Sequence, residues 1–184
     1  MRHLPNLICL LRIALVWPLI HSLLGGDYQT TLWVFVVAAV SDGLDGFLAK
    51  RFGWTSELGR VLDPVADKLL LVSLFLVATW IGLIPRWLTV LAVARDVMIG
   101  LGALTFVSLW GPLRGRPMLV SKVNTLFQLL YLLAVIVSAW LGFPPANSVL
   151  DAMAVLTGVT ILLSGIAYCR EFTGRAWRAA TNNP

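Results

Sequence analysis

Apolar residues fill this chain in blocks of about twenty, broken by short polar or glycine- and proline-rich stretches. A bilayer core of about 30 Å needs about 20 such residues per helix. The blocks predict six spans: Leu4–Leu24, Thr31–Ala49, Gly59–Leu83, Trp87–Trp110, Val120–Leu141 and Val149–Tyr168. The breaks between them read GGDYQT, KRFGWTSE, IPR, GPLRGRP and GFPPANS, rich in turn-forming residues. No period-two alternation suggests strands or a barrel, and no internal repeat is visible. The expected fold is therefore all-α, a polytopic six-helix membrane bundle. It forms a single domain over 1–184, with the bundle in 1–168 and a short basic tail in 169–184.

Loop charges set the expected orientation. The amino terminus, second and fourth breaks and tail carry Arg2, Lys50, Arg51, Arg60, Arg114, Arg116, Arg170, Arg175 and Arg178. The other three breaks carry only Arg86. The positive-inside rule then puts both termini in the cytoplasm, and an odd number of spans would scatter these charges over both sides. The first block could pass for a signal peptide. Arg12 interrupts it, no small-residue cleavage site is evident, and further spans follow, so a retained helix is expected.

Composition narrows the class. Of 184 residues, 59% are hydrophobic and only 12% charged, too few to cover a water-facing surface. A soluble globule, a disordered chain and a nucleic-acid-binding domain are excluded. The net charge of +5 fits cytoplasmic loops and anionic headgroups instead. Cys9 and Cys169 form no CxxC pair, so neither a disulfide framework nor a zinc site is supported.

The acid is concentrated. Five of nine acidic residues fall between Asp42 and Asp67. Four of them lie in Ser41-Asp42-Gly-Leu-Asp45-Gly46-Phe-Leu-Ala49-Lys50 and Gly59-Arg-Val-Leu-Asp63-Pro64-Val-Ala-Asp67-Lys68. A carboxylate at mid-bilayer costs about 2.5–3.5 kcal/mol even on lenient scales, so water, cationic side chains or metal must offset the group. Asp42 and Asp45 are i,i+3, and Asp63 and Asp67 are i,i+4, so each pair shares a helix face. Adjacent antiparallel helices would gather all four. Carboxylate oxygens suit hard divalent ions, Mg²⁺ or Mn²⁺, and two such ions can clamp the attacking and leaving oxygens of a phosphoryl displacement. Gly46, Ala49 and Gly59 allow a ligand or a neighbouring backbone close approach. Pro64 would kink the third span, or Asp63 would cap a helix that starts at Pro64. The alternative is that these aspartates are solvated interface residues, with Asp63 paired to Lys68 or Arg60.

The pattern resembles the signature of the CDP-alcohol phosphotransferase family, Asp-x-x-Asp-Gly-x-x-Ala-Arg, eight residues, then Gly-x-x-x-Asp-x-x-x-Asp. Asp42, Asp45, Gly46, Ala49, Gly59, Asp63 and Asp67 match, and Lys50 stands where the family has Arg. The resemblance covers nearly the whole chain in span layout. It implies that a CDP-linked lipid enters laterally, an alcohol attacks the lipid-side phosphorus, and CMP leaves. It also implies that Asp42, Asp45, Asp63 and Asp67 hold two divalent ions, with Asp67 as general base, and that Gly46, Ala49 and Gly59 border the CDP moiety. Lys50 keeps the family charge but loses the planar fork for phosphate. Pro5-Asn6-Leu-Ile-Cys9-Leu-Leu-Arg12 resembles a PNxxTxxR segment of the family's phosphatidyltransferases. By that resemblance Asn6 and Arg12 approach the nucleotide or its phosphates. Arg12 could instead snorkel to the interface.

Two polar clusters remain for the acceptor. Arg95-Asp96 lies within the fourth span, where an ionisable pair is costly, and Ser121-Lys122-Val-Asn124-Thr125 opens the fifth, with Gln128 a turn beyond. Arg95, Asp96 and Lys122 are the acceptor-binding candidates, against a role as interhelical polar contacts. LDPVADK is shared by phosphatidylglycerophosphate synthases and single-motif cardiolipin synthases, while ARDVM and SKVNT look more like the latter. A glycerol phosphate dianion wants more cationic donors than a phosphodiester, which favours phosphatidylglycerol over glycerol 3-phosphate as acceptor. The expected substrates are CDP-diacylglycerol and that glycerol-type acceptor. The expected setting is a bacterial inner membrane, with the site facing the cytoplasm, no nucleic-acid partner, and a homodimer as in similar small family members. A transporter is the main non-enzyme alternative, since intramembrane carboxylates also mark ion pathways. Transporters often carry inverted repeats, whereas here the acid sits in one stretch.

Overall fold

The computed structural model describes residues 4–52, 57–110, 118–145 and 147–181; along 4–8, 42–52, 57–65, 110 and 175–181 it describes the backbone alone. The described residues form six helices and no strand: α1 (Leu4–Leu24), α2 (Tyr28–Phe52), α3 (Glu57–Trp80), α4 (Arg86–Trp110), α5 (Leu119–Trp140) and α6 (Ser148–Thr181). Among them, Arg86–Leu109, Leu119–Trp140 and Ser148–Gly174 are long and apolar enough to cross a membrane. Cys9–Leu24 and Tyr28–Ser41 are shorter apolar stretches.

The helix ends follow local chemistry. Asp27 caps α2 by accepting the Thr30 N–H at 3.0 Å, so the helix starts before the expected Thr31. Asn147 caps α6 through the Leu150 N–H at 2.9 Å. Helices α1, α3 and α5 each end on a glycine in the left-handed region, Gly26, Gly82 and Gly142. In α3, the Leu83 N–H reaches the Ala78 carbonyl at 2.8 Å and the Gly82 N–H reaches Thr79 at 3.1 Å. These are the paired bonds of a Schellman stop, and they end α3 at Trp80 rather than at the expected Leu83. Two further expectations change. Helix α3 begins at Glu57 and runs through Pro64, so Asp63 does not cap a helix beginning there. Helix α6 continues beyond the expected Tyr168 to Thr181, so the basic tail is helical over most of its length.

The backbone contacts group the chain into two compact units, 1–84 with 132–146, and 85–131 with 147–184. In the first, α1 packs against both α2 and α3. Helix α1 buries Cys9, Arg12, Val16, Leu19 and Leu23, a 3-4-3-4 seam. Helix α2 buries Thr31, Phe35 and Ala38, and α3 buries Ala66, Leu70, Leu74 and Ala78 along one face. The Thr31 hydroxyl lies 2.9 Å from that of Ser22, a polar link between α1 and α2. In the second unit α4 packs against α6. Gly158 lets the Trp87 ring lie against the α6 backbone: a Cβ there would sit 2.8 Å from the indole.

Candidate catalytic site

Arg12 occupies a seam position that its neighbours fill with Cys9, Val16 and Leu19, and it is 2% exposed. A guanidinium so placed requires a counter-charge. It finds Asp67: Arg12 Nη1 donates to Asp67 Oδ1 across the α1–α3 contact. Arg12 lies eight residues into α1 and Asp67 ten into α3. At 1.5 Å per residue both sit about 12–15 Å from their helix starts. Asp67 follows the buried Ala66 by one residue, which turns its carboxylate to the edge of the buried stripe. Its side chain is 41% exposed. One end of the pair is locked in the seam, and the other is open to a ligand.

The backbone is helical through Asp42 and Asp45 on α2, and through Asp63 and Asp67 on α3, which keeps each pair on one face. The side chains of Asp42, Asp45 and Asp63 lie outside the described residues, as do those of Asn6, Gly46, Ala49, Lys50 and Gly59. An all-carboxylate donor set at these spacings fits hard divalent ions. Sequence reasoning placed Arg12 near phosphate or at the interface. The structure buries it, against the snorkelling alternative, and pairs it with the second aspartate of α3. The missed signal was the seam itself, since position 12 falls in register with 9, 16, 19 and 23.

In the second unit, Arg95 on α4 is buried and holds three elements together. Its Nη1 donates to Asp96 Oδ1 at 2.7 Å, and its Nη2 lies 2.8 Å from Ser121 Oγ on α5 and 2.5 Å from Ser164 Oγ on α6. The Tyr168 ring stacks 5.6 Å from its Cζ. Asn124 accepts from the Thr160 hydroxyl at 3.1 Å. Among the described residues, three buried donors in this unit have no acceptor: Arg95 Nε, Asn124 Nδ2 and Gln128 Nε2. Such orphans are costly, and an oxygen-rich ligand relieves them. Lys122 is exposed and outside this hydrogen-bonded cluster. Gln128 and Ser164 were not among the expected site residues. The polar stripe of Thr157, Thr160 and Ser164 along α6 was legible, yet it carries no charge to draw notice.

The family model described as CDP-alcohol phosphatidyltransferase matches residues 2–164, a range that contains both the aspartate helices and Arg12. The chain belongs to the CDP-alcohol phosphatidyltransferase family. Members of this family are enzymes of phospholipid biosynthesis. The chain is 35% identical over 161 residues to a cardiolipin synthase (CMP-forming) of Rattus norvegicus, covering 78% of this chain and 51% of that protein. It is 39% identical over 103 residues to one of Streptomyces coelicolor, covering 52% and 47%. It is 29% identical over 184 residues to the chloroplastic CDP-diacylglycerol–glycerol-3-phosphate 3-phosphatidyltransferase 1 of Oryza sativa subsp. japonica, covering 90% and 56%. The chain thus spans about half the length of these curated relatives.

Proposed function

We propose that this family member transfers a phosphatidyl group from CDP-diacylglycerol to phosphatidylglycerol, forming cardiolipin and releasing CMP. The observation that carries the reading is the Arg12–Asp67 pair. It ties the amino-terminal segment to the last aspartate of the family signature and holds that carboxylate in one orientation while leaving it reachable.

In this reading the acceptor hydroxyl oxygen attacks the lipid-side phosphorus of CDP-diacylglycerol. The bond from that phosphorus to the bridging oxygen breaks, and CMP leaves with the electron pair. The hydroxyl proton passes to the Asp67 carboxylate, and Arg12 fixes the carboxylate for that transfer. Asp42, Asp45, Asp63 and Asp67 would hold two divalent ions, Mg²⁺ or Mn²⁺, which supply positive charge against the developing charge on the phosphoryl oxygens. Asn6, Arg12, Gly46, Ala49, Lys50 and Gly59 would border the CDP moiety. Arg95, Asp96 and Lys122 would serve the acceptor, and the orphaned amides of Asn124 and Gln128 suit its hydroxyl and ester oxygens.

Glycerol 3-phosphate is the second acceptor, favoured by the rice relative. Against it, Asp96 already neutralises much of the Arg95 charge, which suits a monoanionic phosphodiester better than a dianion.

The proposed membrane topology has six spans and both termini in the cytoplasm of a bacterium. Its support includes the exposed Trp17, Trp33, Trp80, Trp87 and Trp140, all near the three breaks that carry little basic charge. A homodimer is part of the proposal.

The test is product identification. Purified protein receives CDP-diacylglycerol with both acceptors and Mg²⁺ or Mn²⁺, and the lipids formed are read by mass spectrometry. Cardiolipin with stoichiometric CMP is expected, and chelation should abolish it. Phosphatidylglycerophosphate alone would select the second acceptor, and no CMP with either would overturn the reading.

A further inference from the structure

Helices α4 and α6 enclose an open groove of about 380 Å³. Its lining includes the buried Ile161 and Gly165, with Leu91, Met98, Leu162 and Ile166 around them. The accessible lining is almost wholly apolar, so Arg95 contributes its aliphatic stem there, with Cγ 3.9 Å from where a Gly165 Cβ would stand. Met98, Leu162 and Ile166 are exposed, and the groove lies within two of the three segments long and apolar enough to cross a membrane. Whatever fills it therefore comes from hydrocarbon rather than water. Its volume falls in the range of small-molecule sites, about 300–1,000 Å³.

The carboxyl-terminal end of the groove is different. Arg170 lines it and is exposed. It lies beyond Tyr168, in the part of α6 that extends past the last predicted apolar position. A guanidinium there reaches headgroup level while its stem stays along the apolar wall. An acyl chain in the groove and an anionic phosphate at its rim match the two chemistries in order.

We propose that the α4–α6 groove seats one acyl chain of an anionic phospholipid whose phosphate is held by Arg170. None of the lining residues belongs to the aspartate signature; Arg95, assigned to the acceptor above, lines the groove with its stem, and the proposal does not depend on which acceptor is used.

The test uses the full chain in lipid nanodiscs and native mass spectrometry after release into detergent. The probes are phosphatidylserine and phosphatidylcholine, neither of which carries the glycerol headgroup of the proposed acceptor. Wild-type protein should retain phosphatidylserine about fivefold over phosphatidylcholine, the preference one interfacial arginine supplies. Arg170→Gln should lose the preference but still retain a chain. Gly165→Ile, whose first side-chain atom meets only ordinary van der Waals contacts, should retain neither lipid. Circular dichroism and the thermal midpoint check that both variants fold, and Arg170→Gln keeps the test decisive if Gly165→Ile does not. Equal retention of the two lipids by wild type, or unchanged preference in Arg170→Gln, overturns the proposal. A Gly165→Ile variant that loses a dimer while its bound lipid is unchanged assigns the groove to a second copy and also overturns it.

Discussion

Arg12→Met isolates the charge of Arg12 from its bulk. The side chain is 2% exposed in the α1 seam, and methionine fills much of the same path with an unbranched apolar chain. Replacing a buried ion-pair member by an apolar residue usually leaves a carboxylate stranded, at about 3–5 kcal/mol. Here Asp67 is 41% exposed, so water can solvate it and the stability cost shrinks. The thermal midpoint in detergent should therefore move little. Activity should move more. A hydrogen bond to a charged group is worth about 1.5–3 kcal/mol, and if it is spent on holding the base in place, its loss lowers kcat by roughly ten- to a hundredfold. The assay is CMP release at saturating CDP-diacylglycerol. A positioning role acts through Asp67, so the double variant Arg12→Met/Asp67→Asn should be no slower than Asp67→Asn alone. Multiplicative losses in the double variant, or Arg12→Met within twofold of wild type, would refute the reasoning.

Asp67→Asn should cut turnover to a small residual rate while leaving helix content near wild type; near-normal CMP release removes Asp67 from the base role. Lys50→Arg should be tolerated or faster, since it restores the family residue, and a severe loss would mean the pocket is built around an ammonium. Gly158→Ala should lower the thermal midpoint, by about 1 kcal/mol of overpacking against the Trp87 ring. Gly100→Ala, with open space at its Cβ, should be neutral or stabilising. Asp27 has its carboxyl held below its ordinary 3.8 by the Thr30 side chain and then by the Thr30 N–H. A depressed folded value means the cap's stability is present above the ordinary value and lost as pH falls through the depressed one. The gap in thermal midpoint between wild type and Asp27→Ala should accordingly be full at neutral pH and close in acid.

Much of the architecture was legible because each helix is an apolar block bounded by residues that stop helices. Leu4–Leu24 coincides with α1, α4 differs from its predicted bounds by one residue at one end, and α5 by one residue at each end. The larger departures arise where polarity misleads. Residues 169–181 look like a tail because they are basic, yet they contain few helix breakers and α6 simply continues. Pro64 also suits the first position of a helix capped by Asp63, but α3 had begun seven residues earlier at Glu57. Within the site, spacing identifies which aspartates share a face, because that depends on helix period alone. The partner of Asp67 could not be read the same way. Arg12 is 55 residues away in sequence, and only the packing of α1 on α3 brings the two together. The same holds for Arg95, whose serine partners are uncharged and come from two other helices.

Helices α1 and α2 are separated by only Gly25, Gly26 and Asp27, with Gly26 in the left-handed region. The consequence is for biogenesis. In the six-span topology proposed above, a pair joined by so tight a turn would enter the lipid as one hairpin, since no hydrophilic loop of any length would need translocation. The charge that topology would carry across in the connection is one carboxylate, already hydrogen-bonded to the amide and hydroxyl of Thr30. Lengthening that turn with acidic residues would burden the insertion machinery before it ever touched the chemistry.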